Sequence, residues 1–481
     1  KIKIVCAGQN LVPDMIVAVA LPDAATITHE GQLMKISAAK IRGEESFGMI
    51  CADEELGLPK ITEHPAEVKI ADVKAICTYL NVPMPKIGEA FAKIFQHRSN
   101  TDTDIVFEID NKSLTHRPDL WGHYGMAREF AAMLGKKLNP IAPKITFPKG
   151  GDRVNVTIEK SGILSRILST IITNIKIEES PEWLKNRLTA VGVRPINNVV
   201  DITNYVMCET GHPMHAFDRK LVGNDALVIR YAKKAESIEA IDHKTYKLTN
   251  EDALVTNGER ALAVAGIIGG ADTEINPQTT EIILELATWN PVMIRKTSQR
   301  LPLRTDAAQR FEKSLDPEDS GIAFLRACEL ILEVCKGSKL AGPLTDVYSQ
   351  KYKPVSVLLD VAKTAKKIGT EIKESEMAEH LAALGFGIKK AKKGTLKVTI
   401  PSWRATKDIN IEDDLVEEIA RMHGYEKIKP ILPTLPIRLP RENRERSLKH
   451  FARQILSFGL GFDEIFTYSF YGAEEIKKCL L

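Results

Sequence analysis

The chain has 481 residues, of which 44% are hydrophobic and 27% are charged, a composition typical of a globular protein with about three domains. The formal net charge of +3 is too small to argue for or against nucleic-acid binding. Seven scattered cysteines without a CxxC pair favour a reducing, cytoplasmic location over a disulfide framework, and no apolar run is long enough to span a bilayer. We therefore expect a cytoplasmic multidomain protein that has no contact with membranes.

The elements predicted in chain order indicate an α+β organisation. Short strand-like runs separated by turn residues fill residues 1 to about 95 and predict a small β-barrel. A helix with helically spaced Met126, Phe130 and Met133 follows, and then a Pro/Gly-rich linker. Strands and helices alternate over about 153–345, with glycine-rich turns. The chain begins in a strand-like run and ends just after a new segment has begun, so we expect a piece of a longer protein.

A smaller unit over about 352–425 ends in the acidic stretch DINIEDDLVEEIARMHGY, and a proline-rich linker and a basic amphipathic helix follow it. Apolar residues in the stretch recur at helical spacing and predict a core-facing stripe: Ile411, Leu415, Ile419 and Met422. Asp414, Glu417 and Glu418 then share the opposite face, and Asp408 could fold back towards them from the preceding loop. Either this face is simply solvated, as acidic helix faces usually are, or it holds a hard cation such as Mg²⁺.

Two clusters in the middle unit could take part in chemistry. The segment NNVVDITNYVMCETGHPMHAFD places Asn204, His212 and His215 near a Gly-Xaa-Pro turn. Histidine is the commonest acid or base near neutral pH, but a packed histidine is the more frequent case. In AVAGIIGGAD, Gly266 and Gly269 allow a ligand to approach the backbone, although a tight turn is the more frequent reason for such glycines. The glycine spacing fits neither a P-loop nor a dinucleotide fingerprint.

A third cluster contains an acid inside an apolar run, Glu285 in ILELA. An unpaired buried carboxylate is costly, so Glu285 must be neutral, paired or directed into a polar cavity, unless it lies on a wet face of the strand. The basic residues after it suit phosphate binding or a solvated helix face: Arg295, Lys296, Arg300, Arg304 and Arg310. The sequence contains no Ser/His/Asp order and no HExxH motif.

Taken in order, many segments resemble the beta-subunit family of bacterial-type phenylalanyl-tRNA synthetases, over nearly the whole chain. These segments include VCAGQNLVPDMIVAVALPDA, SLTHRPDLWGHYGMAREFAA, VRPINNVVDITNYVM, PMHAFD, AGIIGG, LRTDAAQRFEKSLDP and PSWRATKDINIEDDLVEEIARMHGYEKI. The resemblance implies a multidomain α+β fold. Its parts would be an oligonucleotide-binding-fold β-barrel for tRNA (1–97), a connecting segment (98–150), a central α+β editing domain (151–346), a small α/β metal-bearing domain (350–426) and the start of a catalytic-like synthetase domain (438–481).

The resemblance also implies a function and partners. In the family, two alpha and two beta subunits form a heterotetramer that attaches phenylalanine to its tRNA with ATP as a substrate. The alpha subunit carries the activating site, while the beta subunit binds tRNA and hydrolyses mischarged tyrosyl-tRNA. A pocket made for phenylalanine rejects an added hydroxyl only weakly, which is the physical reason for a second, hydroxyl-reading site.

The positions that match the family's site residues predict the sites of this chain. For editing, Glu285 would read the phenol, His215 and backbone groups would orient a water, and Thr305 would complete the catalytic set. Pocket-lining positions would be Asn204, Gly266, Gly269 and Ala307. No covalent nucleophile is expected.

For the metal, Asp408, Asp414, Glu417 and Glu418 would hold one Mg²⁺ at the contact with the alpha subunit. The resemblance leaves two alternatives open, which are a structural, tRNA-binding subunit without editing and a free-standing aminoacyl-tRNA deacylase.

Overall fold

A computed structural model describes residues 2–27, 33–56, 58, 70–80, 84–87, 89–90 and 106–479. The chain divides into two compact units, Lys1–Tyr425 and Glu426–Leu481, and each is described here by itself. Within these described ranges, no helix is both long enough and apolar enough to cross a bilayer.

The first region of the larger unit consists of short antiparallel strand pairs. The pairs are β1 (Val19–Ala20) with β6 (Met49–Ile50), β2 (Ala25–Ile27) with β3 (Leu33–Lys35), and β4 (Ala39–Ile41) with β5 (Glu44–Ser46). Helix α1 (Val73–Leu80) contributes Ile76 to a small core with Ala18 and Cys51. The predicted barrel falls partly outside the described residues, so its closure stays a prediction.

The predicted helix of the connecting segment is present as α2 (His123–Met133), but its apolar stripe is not the buried face. Phe130 is 48% and Met133 62% exposed. The helix packs through its small residues instead. A Cβ on Gly125 would lie 1.7 Å from the Asp119 carbonyl oxygen, and Ala132 is buried. Close backbone approach, which the apolar spacing does not reveal, therefore decides how α2 packs.

The central region contains two five-stranded sheets, a short hairpin and a set of helices. One sheet has the order β15-β14-β13-β10-β7, and the other has the order β17-β8-β16-β9 with β18 also paired to β8. Strands of the first sheet are β7 (Asn155–Ile158), β10 (Ala226–Tyr231), β13 (Ala253–Thr256), β14 (Ala261–Val264) and β15 (Ile268–Gly269). Strands of the second sheet are β8 (Leu164–Thr173), β9 (His215–Asp218), β16 (Ile282–Trp289), β17 (Lys339–Leu340) and β18 (Thr345–Tyr348). The hairpin pairs β11 (Ser237–Glu239) with β12 (Thr245–Lys247).

The helices of this region are α3 (Glu182–Ala190), α4 (Asn198–Thr210), α5 (Arg219–Val222), α6 (Pro291–Arg300), α7 (Asp306–Phe311) and α8 (Pro317–Val334).

Strand β16 lies between two hydrophobic cores, and every one of its residues is buried. Ile283 and Ala287 join residues of both sheets in what we call the inter-sheet core. Leu284 and Leu286 point the other way and join residues of α4 and α8 in the helix-side core. A strand covered on both faces reads as a continuous apolar run, which is how ILELA appears in the sequence.

The last region of the larger unit is a three-stranded antiparallel sheet with order β19-β21-β20, covered by helices. Its strands are β19 (Ser356–Asp360), β20 (Gly387–Lys392) and β21 (Thr395–Thr399). Its helices are α9 (Val361–Ile368), α10 (Glu374–Ala383), α11 (Ser402–Ala405) and α12 (Glu412–His423). Leu415 and Ile419 of α12 enter the core as predicted, whereas Ile411 is the N-cap residue just before the helix and is exposed.

The second unit contains α13 (Arg444–Gln454), a π-helical turn (Ile455–Gly459) and α14 (Ala473–Lys478). The basic amphipathic helix predicted here is confirmed as α13. None of the residues described in this unit is buried. Ile437 and Phe470, for example, are almost fully exposed.

Candidate functional site

Glu285 and His215 lie directly opposite each other on neighbouring strands. Strands β16 and β9 are antiparallel, and their register pairs Glu285 with His215. Side chains alternate along a strand, so Glu285 shares a face with Ile283, and His215 shares a face with Phe217. Both of these hydrophobic residues belong to the inter-sheet core. The acid and the imidazole are therefore directed to the same side, into the space between the two sheets.

Burial makes both groups neutral. Glu285 is 5% exposed, and desolvation raises the pKa of its carboxyl to about 8. Desolvation lowers the pKa of His215 to about 4. Glu285 Oε1 and His215 Nε2 are both buried and find no hydrogen-bond partner in the described part of the chain. Buried polar atoms are nearly always paired, and two orphaned neutral ones on adjacent strands are what a site for a polar ligand would present.

Two glycines leave space beside this pair. A Cβ on Gly269 would lie 2.7 Å from His215 Cε1, closer than real side chains allow. Gly266 has φ +66, and a Cβ there would lie 2.5 Å from Trp289 Cδ1. Both positions therefore require glycine, the first for contact with the imidazole and the second for backbone conformation and contact with an indole.

Thr305 connects α7 to the turn around Gly266 through hydrogen bonds. Its hydroxyl donates to the Ile267 carbonyl oxygen at 2.8 Å and accepts from the Ala308 N–H at 3.1 Å, which caps α7. Ala307 is half-buried and packs against the inter-sheet core. The structure thus brings Thr305 and Ala307 to the same core as the predicted histidine, acid and glycines.

Asn204 lies on a different element from the other predicted site residues. It lies on α4, whose residues Val199, Ile202 and Val206 belong to the helix-side core. That core covers the face of the second sheet opposite to the one that carries Glu285. Asn204 precedes His215 by eleven positions, and the pocket-lining role that the resemblance implies for it stays a prediction.

The predicted metal carboxylates surround arginines. Arg404 is 1% exposed and forms ion pairs with Asp408 and Glu418, the second at 2.8 Å. Arg421 also binds Glu418, with Nε 2.9 Å from Oε1. Burial alone would raise the pKa of Glu418, but the two guanidinium groups hold it at about 2. Asp408 also has the imidazole of His116 at 3.3 Å.

The four carboxylates do not converge on one point. Asp414 Oδ2 accepts the N–H groups of Asn410 at 2.7 Å and Ile411 at 2.9 Å at the start of α12, and Glu417 is exposed. The residues that surround Asp408 and Glu418 are cations, which already offset the negative charge. As arranged, these side chains do not fit a magnesium ion, so the metal assignment stays a prediction that the geometry does not favour.

The comparisons with known proteins agree on one family. Residues 164–336 match the B3/4 domain, and residues 357–425 match the tRNA synthetase B5 domain. The phenylalanine–tRNA ligase beta subunit of Solibacter usitatus is 38% identical over 98% of this chain and 57% of its own length. The beta subunits of Clostridium acetobutylicum and Geobacter metallireducens are each 36% identical, over 100% and 99% of this chain and 57% and 56% of their own lengths.

The chain is a homologue of the phenylalanine–tRNA ligase beta subunits. The family resemblance predicted from the motifs and the mixed α+β multidomain fold are thereby confirmed. This chain spans just over half the length of those beta subunits. An N-terminal fragment of the Pyrococcus horikoshii phenylalanyl-tRNA synthetase beta subunit covers 66% of this chain, and this chain covers 86% of the fragment, at 15% identity. Its TM-score of 0.36 is too low to support an argument about the fold.

The B3/4 match contains the whole Glu285–His215 site, and one of its residues escaped the sequence prediction. Trp289 is buried at the end of β16, and its indole packs directly against the backbone of Gly266. The sequence signal that could have identified Trp289 is an aromatic residue at the end of a buried strand. The predicted individual domain boundaries stay predictions.

Acidic side chains and a backbone carbonyl already bind two of the arginines in the basic segment 295–310. Arg300 pairs with Asp252, and Arg310 binds Asp306 and the Trp121 carbonyl oxygen. Lys296 instead lines an open groove of about 350 Å³ together with Lys160. The predicted phosphate-binding role of this segment stays a prediction.

Proposed function

We propose that the chain acts as a beta subunit of phenylalanine–tRNA ligase, located in the cytoplasm. It would bind the tRNA for phenylalanine and support an alpha subunit that attaches phenylalanine to that tRNA with ATP. Two alpha and two beta subunits would form the assembly. The names of the relatives that match 98% to 100% of this chain support this proposal, as do the B3/4 and B5 matches.

We further propose that the inter-sheet site hydrolyses tyrosine from mischarged tRNA. The observation that carries this proposal is the pair of neutral, buried and unpartnered groups on Glu285 and His215. A site that is only structural would leave two polar atoms unpaired at a cost of about 1–3 kcal/mol each. A bound ligand with polar atoms at both positions would remove that cost.

Selectivity follows from the protonation state of Glu285. With a pKa of about 8, the carboxyl is neutral at physiological pH, so it both donates to and accepts from a phenol hydroxyl. Phenylalanine offers only a ring hydrogen at that position and would leave the carboxyl unpaired. An unpaired group costs about 1–3 kcal/mol, which corresponds to a preference for tyrosine of about 5- to 150-fold.

The chemical step is hydrolysis of the aminoacyl ester. A water oxygen adds to the ester carbonyl carbon, the bond to the ribose oxygen breaks, and the proton lost by the water is delivered to that ribose oxygen. Neutral His215 can accept a hydrogen bond from the water through its unpartnered Nε2. Thr305 has its hydroxyl proton engaged by the Ile267 carbonyl, so we assign it a positioning role rather than that of a nucleophile.

The first experiment measures release of tyrosine from tyrosyl-tRNA for phenylalanine, with phenylalanyl-tRNA as the control substrate, in the presence of an alpha subunit. We expect release of tyrosine but not of phenylalanine, and loss of that preference in Glu285→Ala. Glu274→Ala is the matched control variant, because Glu274 is an exposed acid in the same region.

Other outcomes would support the alternatives. No release despite binding of the tRNA would indicate a structural, tRNA-binding subunit. Release that needs no alpha subunit, by a chain that does not assemble with one, would indicate a free-standing deacylase.

A further inference from the structure

A second cluster of donor atoms lies far along the chain from the Glu285 site, between α10 and α12. Glu376 and His380 are one helical turn apart on α10, and His423 ends α12. His423 Nδ1 is 2.9 Å and His380 Nε2 is 3.6 Å from Glu376 Oε1. Among the described residues, this is the only group of three or more His, Cys, Asp or Glu side chains whose donor atoms all lie within 4.8 Å of one another.

These separations match a tetrahedral metal site. Zinc binds imidazole nitrogen and carboxylate oxygen at about 2.0–2.2 Å, so two ligand atoms on one zinc lie about 3.4 Å apart. The two measured distances, 2.9 Å and 3.6 Å, lie on either side of that value. The two histidine nitrogens lie within 4.8 Å of each other, so side-chain adjustments would place all three atoms around one ion.

One nitrogen atom in the cluster lacks a hydrogen bond. His380 Nε2 is buried and forms no hydrogen bond within the described part of the chain, although it faces a carboxylate. The hydrogen bond between Glu376 and His423 explains those two side chains without a metal. It leaves the buried His380 Nε2 with only the longer contact to Glu376 at 3.6 Å, and a metal bond would satisfy this nitrogen.

We propose that Glu376, His380 and His423 bind one zinc ion, with water as the fourth ligand. Two imidazoles and one carboxylate are donors that suit zinc, whereas magnesium prefers oxygen ligands alone. This site shares no residue with the carboxylates around Arg404, and it goes beyond the proposed aminoacyl-tRNA chemistry. Its effect is to cross-link the end of α12 to α10, which are the helices that pack around the three-stranded sheet.

The test uses the full chain after treatment with a chelator, in buffer with excess Mg²⁺ so that oxygen-rich sites are saturated. Zinc is added, unbound metal is removed by gel filtration, and the zinc retained per chain is measured by mass spectrometry. We expect one zinc to be retained, and titration calorimetry to report its affinity. Loss of even an outer partner of a metal ligand costs about 10–100-fold in affinity, so His380→Gln and His423→Gln should each weaken binding at least tenfold.

Matched controls separate this site from the free cysteines, which also bind zinc. Glu379→Gln changes an exposed acid on the same helix, and His450→Gln removes an exposed imidazole from the other unit; both should keep full affinity. Failure of the wild-type chain to retain zinc would overturn the proposal, as would retention unaffected by His380→Gln and His423→Gln.

A second measurement uses only the wild-type chain, so it does not depend on whether the variants fold. Cobalt bound to the wild-type chain at this site should show the intense visible absorption of a four-coordinate centre without the sulfur-to-metal band of thiolate ligands. A thiolate band, or the weak spectrum of a six-coordinate ion, would refute the assignment.

Discussion

Replacing Glu285 with glutamine should stabilise the central region, and the gain should grow as the pH rises. In the folded chain, burial raises the pKa of Glu285 from 4.5 to about 8, whereas the unfolded chain keeps the ordinary value. Above about pH 4.5, the unfolded state therefore gives up a proton that the folded state retains. Stability associated with this group is full below that pH and is lost as the pH rises towards 8. Glutamine does not ionise, so the variant does not lose this stability as the pH rises.

The size of the effect follows from the two pKa values. Between about pH 5 and about pH 7, the wild-type chain loses about 2.5 kcal/mol relative to the glutamine variant. His215 changes stability in the opposite direction, because its lowered pKa penalises the folded state at acidic pH. That contribution is common to both chains and cancels in the difference between them.

Hydrogen exchange followed by mass spectrometry measures this difference locally. Peptides from residues 282–289 report the opening of β16 in both chains at the same pH, so intrinsic exchange rates cancel. The ratio of wild-type to variant exchange rates should rise about 70-fold between pH 5 and pH 7, as 2.5 kcal/mol requires.

An equal ratio at both pH values would refute the reasoning, because it would show that Glu285 titrates as it does in water. The neutral carboxyl proposed to read the phenol would then be absent at physiological pH. Glu274→Gln, at an exposed acid, should give a ratio that does not change with pH.

Three further predictions concern residues around the Glu285–His215 site and the ion pairs of Arg404. Gly269→Ala places a methyl group against the His215 ring, so release of tyrosine should fall at least tenfold while tRNA binding, measured by filter retention, is unchanged. Arg404→Met leaves two buried carboxylates without their shared partner and should cost about 3–5 kcal/mol in urea unfolding, against no measurable change for exposed Arg438→Met. Thr305→Val removes a helix cap and should cost about 1–2 kcal/mol, with recovery in Thr305→Ser; equal stability of the two variants would contradict the capping role.

Reasoning from the residues alone singled out the acid of the central site, whereas its surroundings were predicted only by the family resemblance. Glu285 was recognisable because a carboxylate inside ILELA has no ordinary reason to be there. Its partner was not recognisable from the residues, since the pairing with His215 depends on the order and register of strands that are 70 positions apart. Asn204 was assigned to the pocket by the family resemblance, and since its helix α4 packs on the helix-side core, that role stays a prediction.

Charge patterns were harder to interpret than apolar ones. The spacing of Leu415 and Ile419 predicted α12 and its buried side correctly. The neighbouring acids suggested a cation, but the sequence did not reveal that the cations beside Asp408 and Glu418 would be arginines. A guanidinium and a metal ion satisfy the same carboxylates, and only the three-dimensional arrangement distinguishes them.

The ion pairs around Arg404 also have a consequence for synthesis on the ribosome. Arg421 binds Glu129, which precedes it by 292 residues, and Arg117 binds that same Glu129 and lies 3.6 Å from Asp408. Translation proceeds at about 5–20 residues per second, so Glu129, which follows Arg117 closely in the chain, waits roughly 15 to 60 seconds for its second partner, Arg421, to be made. During that interval, the face of α2 that carries Glu129 lacks the contact with α12. Substitution of Arg421 would leave that contact unmade in the finished chain, so it should lower the yield of folded protein in cells.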